Sequence, residues 1–276
     1  MTATVDLHVH STASDGTLSP AAVVERVHAA GLSAFALTDH DTLAGLPEAL
    51  AAGERLGVRV IAGCEFSTTA PWGGEMHVLG YFLPTHDPSV EAFLANARED
   101  RGSRVERMVQ KLNAQGVPVT LADVQAAAGG GALGRPHVAR ALLTGGHVKT
   151  QQEAFDKWLG RGRAAFVEKK LPGFRAVAAL VHQAGGVVSA AHLKDRASKG
   201  MLEKLQGDGL DAVETRHPSH DPDVRARITE WALALGLARS GGSDWHGDGE
   251  EFRHGALGSQ EVPAEWVVEL ESRRRS

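Results

Sequence analysis

The chain has 276 residues, of which 42% are hydrophobic, 5% aromatic and 23% charged. That is long enough for one large domain, or a domain carrying an insertion, and too apolar for a disordered chain. The formal charge of −5 argues against broad electrostatic binding of duplex nucleic acid, no apolar run approaches the roughly 20 residues of a membrane span, and the lone cysteine, Cys64, excludes an internal disulfide.

The chain begins strand-like almost at once, without a basic segment or a signal-type apolar run, so a cytoplasmic location is expected. Val5–His10 reads as a strand. Pro20–Ala30 reads as a helix, with Ser19 as its cap and Pro at its first position. A strand over Ala34–Thr38, a helix over Leu46–Leu56, a strand over Arg59–Phe66 and an apolar strand-like run over Met76–Leu83 follow. This alternation implies parallel strands joined by helical crossovers. Cys64 lies in the third strand and is expected to be buried. From about residue 89 the pattern turns helical. Glu91–Leu112 carries apolar residues at 3–4 spacing among many charges. Short helices are expected over Asp123–Ala128, Pro136–Leu143 and Gln152–Leu159, divided by Gly129-Gly130-Gly131 and Gly145-Gly146. The alternation then resumes. Helices are expected over Ala176–Ala184, Leu202–Gln206, Val224–Leu235 and Ala264–Arg273, with strands over Gly186–Ala191, Leu210–Thr215 and Leu237–Ser243. The expected architecture is an α/β, TIM-like barrel formed by residues 1–88 and 166–276, with 89–165 inserted as a small helical cap. Its active site should lie at the C-terminal strand ends.

Metal-ligating residue types collect at those ends. In Asp6-Leu7-His8-Val9-His10, two histidines at i and i+2 on a strand share a face and can reach one ion. Asp39-His40, Glu65, His77, His192 and Asp244-Trp245-His246 each close a short apolar run. Counting Asp15, nine N/O ligands are available: His8, His10, Asp15, His40, Glu65, His77, His192, Asp244 and His246. With no thiolate set they point to a catalytic polynuclear site. Three divalent ions with three or four ligands each, one or two of them bridging, would use all nine. His28, His86, His147, His182 and His254 fall away from strand ends and read as structural. Charge is uneven: residues 98–175 hold 14 Lys/Arg and 7 Asp/Glu. A basic segment beside an acidic, metal-holding body suits an anionic substrate, although a solvated helical surface would give the same balance.

The same residues carry a family resemblance. Asp-Leu-His-Val-His-Ser at 6–11, Ser-Asp-Gly at 14–16, Leu-Thr-Asp-His-Asp-Thr at 37–42, Gly-Cys-Glu at 63–65 and Gly-Ser-Asp-Trp-His at 242–246 resemble the motifs of the PHP (polymerase and histidinol phosphatase) superfamily. Gly134-Arg135-Pro136-His137 within a helical insertion, together with the short length, is similar to the stand-alone phosphoesterases of that group, nucleoside 3′,5′-bisphosphate phosphatases and the 5′-to-3′ trimming ribonuclease. The resemblance implies a distorted (β/α)7 barrel and two to three divalent metals, manganese first, with zinc, iron or magnesium as alternatives. It implies that His8, His10, Glu65 and Asp244 hold one metal. Glu65 would bridge to a second held by His77 and His192, and Asp15, His40 and His246 would hold a third. It implies phosphate contacts from Arg135 and His137. One departure stands out: relatives often follow the His192 position with Pro and a nearby Arg, whereas this chain reads His192-Leu193-Lys194-Asp195-Arg196. Lys194 or Arg196 could take over that phosphate contact, or be plain surface.

Phosphoester hydrolysis needs a nucleophile, neutralisation of the phosphoryl oxygens and help for the leaving group. A water shared between metals is the expected nucleophile, with Glu65 at the bridge. Arg135 offers a bidentate fork for a second, non-reacting phosphate. His217 and His220 follow a strand and could protonate the leaving group. The expected substrate is a small phosphorylated nucleotide, a nucleoside 3′,5′-bisphosphate. The alternative is 5′–3′ exonuclease action on short single-stranded RNA or DNA. A sugar or histidinol phosphate substrate and a non-catalytic module rank lower. No aromatic-rich strip is evident, although Trp158 and Phe166 could each stack one base. No membrane or obligate protein partner is indicated.

Overall fold

The computed structural model describes residues 4–248 and 255–275. His254 lies outside the described residues. Strands β1 (Thr4–Val9), β2 (Ala34–Leu37) and β3 (Arg59–Thr69) alternate with helices α1 (Pro20–Ala29) and α2 (Leu46–Leu56). Ser19 caps α1 by accepting the Ala22 N–H. Strand β4 (Glu75–Tyr81) follows at once. Then come the helices of the insertion: α3 (Pro88–Ala114), α4 (Leu121–Ala128), α5 (Arg135–Thr144) and α6 (Gln151–Ala154), the last running into a π-helical turn at Phe155–Leu159. The body resumes with α7 (Phe174–Gln183), β5 (Val187–Ala190), α8 (Lys199–Gly207), β6 (Ala212–Arg216), α9 (Pro222–Leu235) and β7 (Ala238–Gly241). A two-residue strand β8 (Val262–Pro263) and α10 (Glu265–Glu271) complete it. A single 3₁₀ turn covers Lys194–Arg196.

The strands form one sheet in the order β7-β6-β5-β4-β3-β2-β1-β8. β1–β2–β3 and β5–β6–β7 are parallel. β4 departs from the expected parallel rule and runs antiparallel to both neighbours. The reason is the short link at 70–74, which permits a hairpin but not a crossover of a dozen residues. Because of this reversal, His77 near the start of β4 lies beside Ser67 near the end of β3. Just past β7, Trp245 bridges to Val9, and His10 N donates to the Trp245 carbonyl at 2.9 Å, so the sheet nearly closes on itself at the mouth.

Alternation along the strands divides the core. On β2, Ala34 and Ala36 join Val5, Leu7, Leu79 and Tyr81 in one buried cluster. Phe35 and Leu37 face the other way, toward Val23, Val27, Val177 and Ile228 of the flanking helices. The insertion has its own core of Val105, Met108, Leu112, Val138, Leu142 and Leu159. Helix α3 reaches both, because Val90 and Leu94 in its first turns pack into the barrel's helical layer. No helix among the described residues is long and apolar enough to cross a membrane.

Candidate metal centre

The strand ends converge on Glu65, which is buried and divides its two oxygens between two groups of imidazoles. Oε2 lies 3.2 Å from His8 Nε2, 3.2 Å from His10 Nε2 and 3.2 Å from His40 Nδ1. Oε1 lies 2.8 Å from His77 Nδ1 and 2.9 Å from His192 Nε2. A carboxylate whose oxygens face separate imidazole sets has the shape of a bridging ligand. Asp244 Oδ1 approaches His8 Nε2 at 3.3 Å and His10 Nε2 at 3.2 Å. Asp15, on the loop after β1, has Oδ1 3.3 Å from His246 Nε2 and Oδ2 3.8 Å from His40 Nε2. Two sets of four ligand atoms therefore lie within 4.8 Å of one another: His8/His10/Glu65/Asp244 and His10/Asp15/His40/His246. His40/Glu65/His77 forms a third set. All nine sequence-chosen ligands thus stand in one cluster.

The electrostatics suit cations. Burial opposes ionisation of Glu65, but His40, His77 and His8 outweigh it and hold its carboxyl well below the usual range. Asp15 is likewise lowered, against its burial, by His40 and His246. Burial disfavours a charged His10, yet the Asp244 and Glu65 carboxylates that its Nε2–H faces push it up to about 10, and His77 rises to about 9 against its burial through Glu65. His40 falls to about 3 because burial dominates. In this state protons on imidazoles supply the positive charge that the buried carboxylates demand. Several ring nitrogens still lack hydrogen bonds of good geometry: both of His10, Nδ1 of His40 and of His77, and Nε2 of His217. Buried, unsatisfied donors or acceptors cost about 1–3 kcal/mol each. A site that tolerates several, all aimed among carboxylates, fits divalent metals with N/O preference.

A tenth residue, an acid not anticipated from the sequence, belongs here. Glu214 on β6 is fully buried; its Oε1 lies 3.0 Å from His8 Nδ1, and its Oε2 accepts the His192 backbone N–H at 2.7 Å. Its sequence signal was an acid in phase with Ala212 inside the strand Ala212–Arg216. Beside it, a second unanticipated network joins the cap to the body. Arg101 of α3 and Lys169 both reach Asp41 Oδ2, at 2.7 and 3.3 Å. Lys169 also donates to Ser67 Oγ and, at 3.2 Å, to Glu75 Oε1, which lies 3.4 Å from His77 Nε2.

The remaining sequence candidates separate. Arg135 lines the cavity that adjoins the metal centre: its Nη2 is 3.8 Å from Glu75 Oε2, and its guanidinium lies 6.0 Å from the Phe155 ring centroid. His217 lines the metal cavity. Its Nδ1 accepts the Ser219 N–H at 3.0 Å, which puts the proton of the neutral ring on Nε2, 3.4 Å from Asp244 Oδ2. His137 and His220 correct the expectation. Both are buried. His137 Nδ1 accepts the Gly134 N–H at 3.1 Å, and burial lowers the ring to about 4. His220 Nε2 accepts the Lys194 N–H at 3.2 Å and its Nδ1 faces the Thr215 carbonyl, so both ring nitrogens serve the backbone and the ring props the 192–196 loop. Lys194 and Arg196 line a neighbouring cavity with Phe166, whereas Trp158 packs against the insertion core.

This arrangement agrees with what the chain is similar to. The PHP domain model matches residues 6–240, and the chain belongs to that family. It is 36% identical over 252 residues to a 5′-3′ exoribonuclease of Haemophilus influenzae, covering 89% of this chain and 91% of the relative. It is 33% identical over 259 residues to a 3′,5′-nucleoside bisphosphate phosphatase of Chromobacterium violaceum, covering 91% of this chain and 90% of the relative. A crystal structure from Bifidobacterium adolescentis, assigned as a metal-dependent phosphoesterase, superposes with a TM-score of 0.90 at 33% identity, covering 99% of this chain and 96% of that one. The protein is a PHP-type hydrolase of phosphate esters.

Proposed function

We propose that this enzyme removes a terminal phosphate from a nucleotide that carries a second phosphate, a nucleoside 3′,5′-bisphosphate. His8, His10, Glu65 and Asp244 would hold one divalent ion, Glu65, His77 and His192 a second, and Asp15, His40 and His246 a third, with manganese the expected metal. When bound, such ions lower the pKa of a water toward neutrality and neutralise phosphoryl oxygens. The chain's own groups do the rest. His217 presents its Nε2 proton beside Asp244, where it can pass to the leaving oxygen. Arg135 exchanges Glu75 for the non-reacting phosphate, and that remote contact orients the reacting one.

The observation that carries this reading is a shared wall. His77, His192 and Lys194 line both the metal cavity of about 620 Å³ and an adjoining cationic cavity of about 340 Å³ that includes Arg135. A phosphate among the metals and a second on Arg135 can therefore belong to one molecule. The Chromobacterium relative's name supports it. The Haemophilus relative favours a second reading, stepwise 5′–3′ hydrolysis of a short single strand, and the same cationic cavity would suit it.

Initial rates with Mn²⁺ on adenosine 3′,5′-bisphosphate, 5′-phosphorylated oligoribonucleotides, histidinol phosphate and p-nitrophenyl phosphate test the proposal. The bisphosphate should show the highest kcat/KM. Arg135→Ala should lower it by about 10- to 150-fold, the worth of a charge-assisted hydrogen bond of ~1.5–3 kcal/mol, and should barely touch p-nitrophenyl phosphate. Equal losses on both would mean that Arg135 serves the reacting phosphate or the fold, and the bisphosphate reading would lose its support.

A further inference from the structure

The cationic cavity is larger in chemistry than one phosphate needs. Four cations on its wall remain for a ligand: Arg135, Arg161, Lys194 and Arg196. Arg104 and Lys169 are already engaged, with the Val167 carbonyl and with Asp41 and Glu75 respectively. Arg135 and Arg161 have only loose carboxylate neighbours at 3.8 Å. Lys194 and Arg196 pair with no carboxylate among the described residues; Arg196 instead lies 5.8 Å from the Trp72 ring centroid.

Trp72 is the unusual member. It keeps 39% of its surface exposed, where most large apolar side chains of this chain are buried. It stands at the tip of the β3–β4 hairpin, in a tight turn closed by Gly73 N→Ala70 O at 3.0 Å and Ala70 N→Gly74 O at 2.9 Å. Gly73 and Gly74 both take positive φ, 83° and 84°, so the tip is shaped by residues that adopt this conformation without strain. A defined turn thus presents an indole to the same cavity as Phe166. Aromatic faces set among cations along a groove form the recognition chemistry of single-stranded nucleic acid, because every base offers a π-face and every link a charge. A free phosphate or sugar phosphate would leave the indole unused.

We infer that Trp72 and Arg196 form a subsite for the second nucleotide of a short single strand, its base stacked on Trp72 and its phosphate held by Arg196 and Lys194. The inference rests on the nucleotide reading above and extends it from mononucleotides to oligonucleotides. Arg135 and the Trp72 platform line one cavity, and it adjoins the metal cavity through His77, His192 and Lys194. The platform adds a binding contact that only substrates of at least two nucleotides can use.

The test compares a 5′-phosphorylated trinucleotide with adenosine 3′,5′-bisphosphate. Trp72→Ala should lower the trinucleotide-to-bisphosphate ratio of kcat/KM by about 5- to 150-fold, the range of one lost base–aromatic stack. Trp72→Phe should restore most of it. Fluorescence anisotropy of a labelled pentanucleotide on chelator-treated protein gives a readout without catalysis. There Trp72→Ala should raise Kd by a similar factor, and Arg196→Gln should reduce the slope of log K against log salt by about 0.7. An unchanged ratio and unchanged Kd in Trp72→Ala overturn the subsite while leaving the bisphosphate reading intact. Equal losses on both substrates also overturn it, since Trp72 would then hold the base of the reacting nucleotide. Wild-type protein that hydrolyses neither substrate but binds the pentanucleotide through Trp72 would refute the proposed reaction and keep the subsite.

Discussion

Replacing Glu214 by Gln isolates the part that aims the ligands. The two shapes are nearly identical, so packing is preserved and only the acceptor pattern changes. Glu214 uses one oxygen on the His192 N–H at 2.7 Å and the other on His8 Nδ1 at 3.0 Å. An amide has one oxygen, and the backbone N–H, an obligate donor, will claim it. The new NH₂ then faces His8 Nδ1 and can only donate. His8 must accept at Nδ1, which moves the proton of its neutral ring to Nε2. Nε2 is the nitrogen that faces Glu65 and Asp244 at 3.2 and 3.3 Å, and it is the one needed for a metal. The fold should lose little, because a charged acceptor is exchanged for a neutral one on a single N–H, worth about 1 kcal/mol. The metal should lose more. Removing an outer-shell partner of a ligating histidine typically costs about 10–100-fold in affinity or activity. Equilibrium dialysis against a competing chelator, with kcat/KM measured at saturating and limiting Mn²⁺, separates the two. The expected result is weakened metal binding, with activity partly recovered at high metal. Wild-type metal affinity in Glu214→Gln would refute the tautomer argument.

Two further perturbations follow from the same geometry. Glu65→Gln places an NH₂ against one of the two imidazole sets that its oxygens now face; protein expressed with excess manganese should approach three equivalents in the wild type and lose at least one in the variant, with nearly all activity gone, as elemental analysis would show. Gly242→Ala would put a Cβ 2.4 Å from the backbone N and Cβ of His8; overpacking of roughly 1–3 kcal/mol should lower Tm by about 2–12 °C in a thermal melt, and an unshifted melt would mean that β1 can yield there.

The sequence disclosed the ligands more readily than the parts that aim them. Histidines at i and i+2, or close to an aspartate at the end of an apolar run, are local patterns, and they meet the other chosen ligands in one cluster with Glu65 at its centre. The elements were legible for the same reason: β2 and α2 follow local periodicity, and the capping Ser19 with Pro after it marks α1. What could not be read depends on partners distant in the chain. His137 and His220 carry the residue type of a ligand or acid, but their nitrogens serve the backbone at Gly134 and Lys194. Glu214 is a single acid in an apolar strand, and its role exists only because His8, 206 residues away, comes beside it. Helix α3 reads as the start of an insertion, yet its first turns fill the barrel's helical layer with Val90 and Leu94.

The same distinction explains where the backbone is strained. Among the described residues, six other than glycine take positive φ, and four of these stand in the loops of the site: Asp41 at 49°, His192 at 33°, Lys194 at 58° and Asp244 at 54°. Such conformations cost of order 1–3 kcal/mol each and persist only where the surroundings over-determine them. The restraints on three of them are identifiable. Arg101 and Lys169 hold the Asp41 carboxylate, Glu214 takes the His192 N–H, and His220 takes the Lys194 N–H. β1 and β6 also shift register where they deliver His8 and Glu214, a device that re-aims side chains at a strand end. The buried groups that are not ligands therefore have a common task. They hold unfavourable backbone in place so that the imidazoles and carboxylates converge, and losing one should loosen the centre before it loosens the fold.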